Sequence, residues 1–170
     1  MLALTGATGF IGNALLNRLT TTGYRVRALY RPRAGRSQPA LPGVEWISGD
    51  LQEAGALEAL VTGTQAVIHC AGSVRGITQA DFDSVNVDGA MRVAQAAARQ
   101  KQAPRFLLIS SLAARSPQLS HYAGSKWRGE CALKKVAADL PWTIFRPPAV
   151  YGPGDREMLP LFRGIEKGFA

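Results

Sequence analysis

The feature that most constrains this chain is a group of closely spaced glycines near its start, in the run Thr5-Gly6-Ala7-Thr8-Gly9-Phe10-Ile11-Gly12. The apolar segment Leu2-Ala3-Leu4 precedes the run, and apolar residues at helical spacing follow it. Glycines at this spacing let a strand turn sharply into a helix and let backbone N–H groups approach a pyrophosphate. Glycine-rich turns also occur as purely structural bends, but this context favours a dinucleotide site. The candidate cofactor-binding residues in this run are Gly6, Thr8, Gly9, Phe10, Ile11 and Gly12.

Downstream of the glycines, apolar runs of strand length alternate with segments of helical period. Strands are predicted at residues 2–4, 26–30, 44–47, 66–70, 105–110 and 142–145, and helices at about 12–22, 53–61, 80–100 and 121–140. This alternation implies parallel pairing with right-handed crossovers, so we predict an α/β fold with a doubly wound parallel sheet, the Rossmann fold. Ligands bind such a sheet at the carboxyl ends of its strands. Residues expected at those ends include Gly6, Arg31, Asp50, Ala71, Gly72, Ser111 and Pro147.

The composition narrows the class of protein. A chain of 170 residues, 46% of them apolar, suffices for one domain with a substantial core. Cys70 and Cys131 lie far apart, which indicates reduced thiols and a cytoplasmic location. With His69 and His121 as the two histidines, no metal site is expected. No apolar run approaches the roughly 20 residues of a membrane span, and no signal peptide is recognisable, so we expect a soluble protein without a membrane partner.

The formal net charge of +8 raises the question of nucleic-acid binding. The lysines and arginines are scattered along the chain, without interleaved aromatic residues or a known reader motif. A solvated surface or a phosphate-rich cofactor explains this charge more simply, so we expect no nucleic-acid partner.

The residues after the second strand bear on the choice of cofactor. NAD sites usually place an acidic residue there to bind the ribose hydroxyls, whereas a cation favours the 2′-phosphate of NADP. This chain has Arg31 at that position and no acidic residue nearby, so NADP(H) is favoured, with NAD(H) still open. Arg33 and Arg36 are second candidates, and the alternative is that these arginines merely cover a loop.

Asp50 and Leu51 follow the third strand and are candidates for the adenine subsite. The Asp50 carboxylate could accept a hydrogen bond from the adenine amino group, with Leu51 against the ring. An N-cap for the helix beginning near Gln52 is an equally good interpretation of Asp50.

The candidate chemistry lies in the second half of the chain. Tyr122 and Lys126 are four residues apart, so they share one side of the predicted helix. An unperturbed tyrosine is a poor acid–base group at neutral pH, but a nearby ammonium and a bound nicotinamide cation would stabilise its phenolate. Ser111, just past the fifth strand, could orient a substrate oxygen. A tyrosine and a lysine at this spacing are often only a surface pair, but the residues upstream favour a catalytic group.

These segments together resemble the extended branch of the short-chain dehydrogenase/reductase superfamily, the NAD(P)-dependent epimerase/dehydratase-like enzymes. The matching segments are Thr5 to Gly12, Gly49-Asp50-Leu51, Val67 to Gly72, Asn86 to Gly89, Ile109-Ser110-Ser111, Tyr122 to Lys126 and Arg146 to Asp155. The resemblance spans nearly the whole chain and is specific for fold and cofactor class, and much less so for substrate.

The resemblance also implies roles for individual residues. Ala71 and Gly72 would line the middle of the cofactor, Lys126 would also reach the nicotinamide ribose, and Pro147 and Val150 would lie beside the nicotinamide. Asn86 could instead tie its helix to neighbouring elements. Members of the superfamily often pair through two helices, here those containing Asn86 and Tyr122, so a homodimer is a reasonable expectation.

Two departures from the superfamily pattern affect the expected substrate. Ser111 and Tyr122 are eleven positions apart, which is short for sugar-nucleotide enzymes and leaves room for a bulkier or different substrate. We assign residues 1–155 to a dinucleotide-binding domain with the catalytic residues, and residues 156–170 to the start of a truncated substrate domain. The final segment shows an apolar helical stripe without a stop signal, which indicates a fragment or self-association. The stripe consists of Met158, Leu159, Phe162, Ile165 and Phe169.

The leading hypothesis is therefore an NAD(P)-dependent oxidoreductase that transfers a hydride between nicotinamide and a carbonyl or alcohol substrate through Ser111, Tyr122 and Lys126. The same residues could serve a nucleotide-sugar epimerase or dehydratase, acting on a sugar-nucleotide substrate. A dinucleotide-binding module without catalytic activity is the third alternative.

Overall fold

One parallel sheet organises the protein. The computed structural model describes residues 1–32, 34, 40–136 and 139–169. In these residues six strands occur in the spatial order β3-β2-β1-β4-β5-β6, and every neighbouring pair is parallel. The strand order reverses direction beside β1, which confirms the doubly wound sheet predicted from the sequence. The strands are β1 Leu2–Thr5, β2 Val26–Tyr30, β3 Val44–Ser48, β4 Ala66–His69, β5 Arg105–Ile109 and β6 Trp142–Phe145.

Helical segments connect the strands and cover the sheet. Between β4 and β5, the helical segment runs without a break through two α-helices joined by a π-helix at Ser84–Gly89. Two short 3₁₀ turns, Leu112–Arg115 and Pro117–Leu119, lie between β5 and the next α-helix. The α-helices are α1 Phe10–Thr21, α2 Ala54–Val61, α3 Gln79–Asp83, α4 Ala90–Ala98, α5 His121–Val136 and α6 Leu159–Glu166.

The two faces of the sheet bury two separate apolar clusters. Successive side chains of a strand point to opposite faces, so Ala3 belongs to one cluster and Leu4 to the other. The larger cluster packs β-strand residues such as Val67 and Phe106 against α2, α4 and α5, and the smaller one packs Leu16 of α1 against β1 and β2.

The predicted helix boundaries need two corrections. The helix predicted over 80–100 contains the six-residue π-helix. Periodicity does not reveal it, because one π turn changes the spacing of the apolar residues too little to be distinguished from an α-helix. The helix predicted to reach residue 140 is described only to Val136, and residues 139–140 are not helical. Leu140 precedes Pro141, and a residue before proline is disfavoured in the helical region.

The last helix does have a stop signal, contrary to the sequence-based expectation. Gly168 adopts a φ of +79°, its N–H donates to the Ile165 carbonyl (2.9 Å), and the Phe169 N–H donates to the Gly164 carbonyl (2.9 Å). This pair of bonds is the glycine-terminated Schellman motif. The apolar residues of α6 remain exposed, as the stripe implied; Leu161, Phe162 and Ile165 are between 42% and 52% exposed. In the part of the chain that the structure describes, no helix is both long and apolar enough to cross a membrane.

Candidate dinucleotide and catalytic site

The glycine turn after β1 brings backbone atoms unusually close together. Gly6 adopts a φ of +70°, and a Cβ placed on it would lie 2.6 Å from the Ala71 nitrogen. A Cβ on Gly12 would overlap the Gly6 carbonyl oxygen. The turn therefore requires glycine at both positions, for backbone conformation at Gly6 and for helix-to-turn contact at Gly12. The spacing in the sequence predicted this close approach.

Helix α1 begins directly at this turn and points its first N–H groups to the carboxyl edge of the sheet. Its N-cap residue is Gly9, and no side chain caps it. The N–H groups of the first turn lack partners within the helix and coincide with the positive end of the helix dipole. These features suit the phosphates of a dinucleotide, and they explain why Phe10 and Ile11 are candidates through their backbone rather than their side chains.

A cavity of about 420 Å³ opens beside the turn, at the carboxyl ends of β1, β2, β3 and β4. Its position is the place where a doubly wound sheet binds ligands. Eight predicted cofactor residues line it: Gly6, Thr8, Gly9, Arg31, Asp50, Leu51, Ala71 and Gly72. Eight further lining residues were not predicted: Leu29, Tyr30, Pro32, Gly49, Gln52, Cys70, Ser84 and Val85. Most of these neighbour predicted residues in the chain, so a broader search around each strand end would have found them.

Several predicted cofactor residues lie outside this cavity lining. Gly12 packs against the Gly6 carbonyl in the turn, and Phe10 and Ile11 are the first two residues of α1. Pro147 and Val150 follow β6 at the far end of the site, where Val150 is 40% exposed. The second candidates for the 2′-phosphate, Arg33 and Arg36, fall outside the described residues.

Asp50 lines the cavity and also stabilises the turn after β3. Its Oδ1 accepts a hydrogen bond from the Gln52 N–H at 2.7 Å. Helix α2 begins only at Ala54, with Glu53 as its N-cap, so the interpretation of Asp50 as a helix N-cap is wrong. The carboxylate instead forms an Asx-type turn and keeps capacity to accept a further hydrogen bond.

Lys126 is the buried cation of the candidate catalytic group. It lies one turn after Tyr122 on α5, is 9% exposed, and donates from Nζ to the Ile109 carbonyl at 2.9 Å. Burial lowers the pKa of Lys126 from 10.5 to about 8, while Cys70, when its thiol is ionised, and the negative charge of Glu130 act in the opposite direction. This bond ties the ammonium to Ile109, the last residue of β5, which precedes Ser111 by two positions in the chain.

Ser111 follows the end of β5, and Tyr122 lies in the first turn of α5. The Ser111 Oγ accepts a hydrogen bond from the Ala113 N–H (3.2 Å), which leaves the hydroxyl hydrogen as a donor. The Tyr122 ring contacts Phe82 edge to face, with centroids 6.3 Å apart. A Cβ on Gly72, a cavity residue, would lie 3.5 Å from the Lys126 Nζ, so Lys126 adjoins the cavity.

Asn86 connects three elements from the middle of the π-helix. Its side chain accepts from the Ser73 N–H and donates to the Ser73 carbonyl and to the Ser125 hydroxyl, each at 2.9 Å. These bonds tie the loop after β4 to α5, in agreement with the interpretation of Asn86 as a connecting residue.

Two buried polar groups near the site were not predicted. His69 Nδ1 is 2.8 Å from the Thr5 hydroxyl, and the Ala71 N–H donates to the same hydroxyl at 3.2 Å. Burial, and then the charge of Lys126, lowers the pKa of His69 to about 3, so this imidazole is neutral. The second group is the Glu130 carboxylate on α5, which is 1% exposed. An acidic residue one turn after Lys126 on a buried helix face is the signal that could have revealed it.

Among the described residues, no group of histidine, cysteine and acidic side chains could hold a metal ion. Cys70 and Cys131 are free thiols.

Comparison with known proteins identifies the family. Residues 2–168 match the family described as NAD dependent epimerase/dehydratase. The chain belongs to this family. Ceramide reductase from Caulobacter vibrioides is 45% identical over 168 residues, which cover 96% of this chain and 50% of that protein.

Solved structures share the fold. WbmH from Bordetella bronchiseptica, in complex with NAD⁺, has a TM-score of 0.81 at 24% identity, and the match covers 98% of this chain and 62% of that one. UDP-glucuronic acid 4-epimerase from Bacillus cereus, in complex with NAD, has a TM-score of 0.78 at 21% identity, with 98% and 61% covered. The chain thus spans half of a curated relative and about three fifths of these structures. The resemblance inferred from the sequence is confirmed for family and fold.

Proposed function

We propose that this chain forms the cofactor-binding and acid–base part of an NADP(H)-preferring oxidoreductase. The observation that carries the proposal is the placement of Lys126, which is buried on α5, bonded to Ile109 just before Ser111, and adjacent to the cavity residue Gly72. A buried ammonium on the helix that carries Tyr122, bonded to the strand end that precedes Ser111 and next to a dinucleotide-sized cavity, supports a role in carbonyl reduction.

The residues divide the chemistry among them. A bound nicotinamide cofactor would supply the hydride for the substrate carbonyl carbon in reduction and would accept it from the alcohol carbon in oxidation. Ser111 donates a hydrogen bond to the substrate oxygen and orients it. Tyr122 gives the proton to that oxygen in reduction and takes it back in oxidation. Lys126 stabilises the Tyr122 phenolate, and with a pKa of about 8 it remains largely cationic at neutral pH.

The cofactor side of the proposal follows the cavity. The turn residues Gly6, Gly9 and Gly12, together with the first N–H groups of α1, would hold the pyrophosphate. Asp50 and Leu51 would hold the adenine, and Arg31 would bind the 2′-phosphate, which is the basis for preferring NADP(H) over NAD(H). Pro147 and Val150 would hold the nicotinamide. The family description and the solved relatives name NAD, so the phosphate preference rests on Arg31 alone.

For the substrate, we propose the carbonyl of a ceramide-like lipid. The relative with 45% identity is named a ceramide reductase. Exposed apolar side chains on the loops after β4 and β5 provide a second reason: Val74 is 54% exposed, Ile77 91% and Leu119 76%. The loop after β4 lies near Tyr122, since Gly76 lies against Phe82, which contacts the Tyr122 ring, and Leu119 precedes Tyr122 by three residues. Apolar side chains at this place suit an alkyl chain better than a sugar nucleotide.

A nucleotide-sugar epimerase is the second candidate. The family name includes epimerases, and the structure of MoeE5, 24% identical to this chain, holds UDP-glucose and NAD. An epimerase returns the hydride to its substrate, so it consumes no cofactor overall. A reductase oxidises one NADPH for each alcohol formed, and the loss of reduced-nicotinamide absorbance distinguishes the two.

The test replaces the phenol. In Tyr122→Phe, we expect the turnover number for NADPH-dependent reduction of a detergent-dispersed ceramide ketone to fall by about a hundredfold or more, because the proton donor is removed. The matched control is Tyr24→Phe, which alters a 54% exposed tyrosine before β2 at the opposite edge of the sheet and should leave turnover unchanged. Near wild-type turnover in Tyr122→Phe would refute the mechanism. Inversion of an alcohol without NADPH loss would favour the epimerase.

A further inference from the structure

The buried carboxylate of Glu130 has no part in the proposed chemistry, yet it lies one helical turn from Lys126 on α5. It is 1% exposed and receives three hydrogen bonds. The Ser110 hydroxyl donates to Oε1 at 2.5 Å, and Arg146 donates from Nε to Oε1 at 2.8 Å and from Nη2 to Oε2 at 2.5 Å. A carboxylate with three charge-assisted or short bonds is held in one orientation.

The two partners of Glu130 directly follow β5 and β6, the two strands at one edge of the sheet. Ser110 immediately follows β5 and lies between Ile109, which accepts the Lys126 bond, and Ser111. Arg146 immediately follows β6 and precedes Pro147. One carboxylate on α5 therefore holds the carboxyl ends of both strands.

Backbone bonds extend this arrangement into the candidate site. The Ser110 N–H donates to the Phe145 carbonyl at 2.8 Å, and the Leu112 N–H donates to the Pro147 carbonyl at 2.9 Å. The segments carrying Ser111 and Pro147 are thus joined to each other on both sides of Ser111. A displacement of either segment relative to α5 would move Ser111 away from Lys126.

We propose that Glu130 is a positioning residue, which uses Ser110 and Arg146 to fix the two strand ends against α5 so that Ser111, Lys126 and Pro147 keep their relative positions. This inference rests on the proposed function, since it assigns Glu130 a role in the same site. Glu130 acts through its neighbours and does not touch the reacting atoms.

The electrostatics agree with this geometry. Burial raises the pKa of Glu130, but the hydrogen bonds from Arg146 and Ser110 and the charges of Arg146 and Lys134 outweigh it and hold the pKa below its usual value. The carboxylate is therefore ionised at neutral pH. Its charge in turn raises the pKa of Lys126 against the effect of burial.

Two other titratable groups interact electrostatically with Lys126 and could change its pKa. From the end of β4 these are His69, which is neutral, and Cys70, whose pKa burial raises to about 11. Around pH 8, where Lys126 titrates, His69 therefore stays neutral and Cys70 stays a protonated thiol. A lower Lys126 pKa in a Glu130 variant then reports the loss of the carboxylate charge.

The alternative explanation is that the ion pair of Glu130 and Arg146 contributes only to stability. A second ion pair with one partner on α5 provides a matched control. Arg128, two residues before Glu130, forms a two-pronged ion pair with Asp83 of α3. Both pairs join an arginine and a carboxylate with one partner on α5, but the Asp83 pair bonds to neither of the two strand ends that Glu130 holds. Asp83→Asn should lower the melting temperature and leave turnover and the Lys126 pKa unchanged.

The experiment compares Glu130→Gln, Glu130→Asp, Ser110→Ala and Asp83→Asn with the wild type. Steady-state kinetics with NADPH and the ceramide ketone give kcat and KM, NADPH titration gives Kd, and NMR of isotope-labelled lysine gives the Lys126 pKa, assigned with Lys126→Arg. In Glu130→Gln we expect kcat to fall by about tenfold to a hundredfold, since small displacements of reacting groups are costly. We also expect a nearly unchanged NADPH Kd and a lower Lys126 pKa.

The remaining variants separate geometry from charge. Glu130→Asp keeps the charge but shortens the side chain, so it should preserve the Lys126 pKa and still lose kcat. Ser110→Ala removes one bond to the carboxylate and should lower kcat with little change in KM; it also serves if Glu130→Gln fails to fold.

The outcomes distinguish this inference from the proposed function. If Glu130→Gln and Ser110→Ala lose only stability, as expected for Asp83→Asn, while kcat and the Lys126 pKa stay at wild-type values, the positioning role is refuted and the proposed function stands. If the wild type reduces no carbonyl at all, the proposed function fails, and an unchanged Lys126 pKa in Glu130→Gln would still overturn the link between Glu130 and the site.

Discussion

Lys126 shows how a candidate catalytic residue reduces the stability of the fold. Its pKa falls from 10.5 to about 8 on burial, so the folded state holds this proton less tightly than the unfolded state does. The resulting destabilisation is complete below about pH 8 and disappears as the pH rises towards 10.5. His69 acts in the acid range, where its pKa of about 3 makes the fold lose stability as the pH falls below 6.5.

In the proposed function, Arg31 is the residue that favours NADP(H) over NAD(H). In Arg31→Ala, the Kd for NADPH should rise by about tenfold to a hundredfold, because a charged hydrogen bond to the 2′-phosphate is lost. The Kd for NADH should change little. Titrations of nicotinamide fluorescence with both cofactors measure the two constants.

Arg25 provides the control for this prediction. It precedes β2 at the amino edge of the sheet, whereas Arg31 follows β2 at the carboxyl edge beside the cavity. Arg25→Ala removes the same charge from the protein and should leave both constants unchanged. Equal weakening of NADPH and NADH binding in Arg31→Ala would show that Arg31 does not distinguish the cofactors.

At the scale of elements, the sequence predicted the sheet because each strand is a short apolar run and each crossover has helical period. The doubly wound parallel topology and the glycine turn followed from these local patterns, whereas the order of the strands came from the structure. Local patterns also indicated that Arg31, Asp50 and Ala71 would meet at one edge, since parallel strands end on the same side.

The remaining features depend on contacts between distant parts of the chain. The bonds of Glu130 to Ser110 and Arg146 join residues 20 and 16 positions apart, and nothing in the local sequence specifies that pairing. The π-helix at Ser84–Gly89 likewise reflects tertiary packing, because Gly129 of α5 comes against the backbone of Asn86. Helical period alone cannot distinguish a π turn from an α turn.

This contact between α5 and the π-helix gives the second prediction. A Cβ on Gly129 would overlap the Asn86 carbonyl oxygen, a backbone atom that cannot move without moving its helix. We expect Gly129→Ala to lower the free energy of unfolding by about 1–3 kcal/mol, the usual cost of overpacking. Because α5 carries Tyr122 and Lys126, turnover should fall as well. Urea unfolding measures the stability change.

The control is a glycine in another helix. A Cβ on Gly55 of α2 meets nothing within 4 Å, so Gly55→Ala should stabilise the protein by up to about 1 kcal/mol through helix propensity. Wild-type stability in Gly129→Ala would mean that the two helices separate without cost, and the role given to this close contact would then be wrong.

At the scale of the whole molecule, charge favours the proposed cofactor. The net charge of +8 attracts an anionic dinucleotide and should make its association slower at high salt. The same charge is spread over the surface, so it accelerates encounter without specifying the site. Specificity has to come from the cavity, where Arg31 lies beside the turn formed by Gly6 and Gly9.

The last prediction concerns pairing of two copies through the helices that contain Asn86 and Tyr122. Trp127 on α5 directly follows Lys126 in the chain and is 44% exposed. An exposed tryptophan on a helix surface is typical of an interface. We expect the wild type to be a dimer by light scattering and Trp127→Glu to be a monomer, because a charge buried in an apolar contact costs more than the contact gains. Trp142→Glu, which alters a 39% exposed tryptophan on the edge strand β6, should remain a dimer. A dimer that persists in Trp127→Glu would place the contact elsewhere, and a monomeric wild type would show that these helices do not pair.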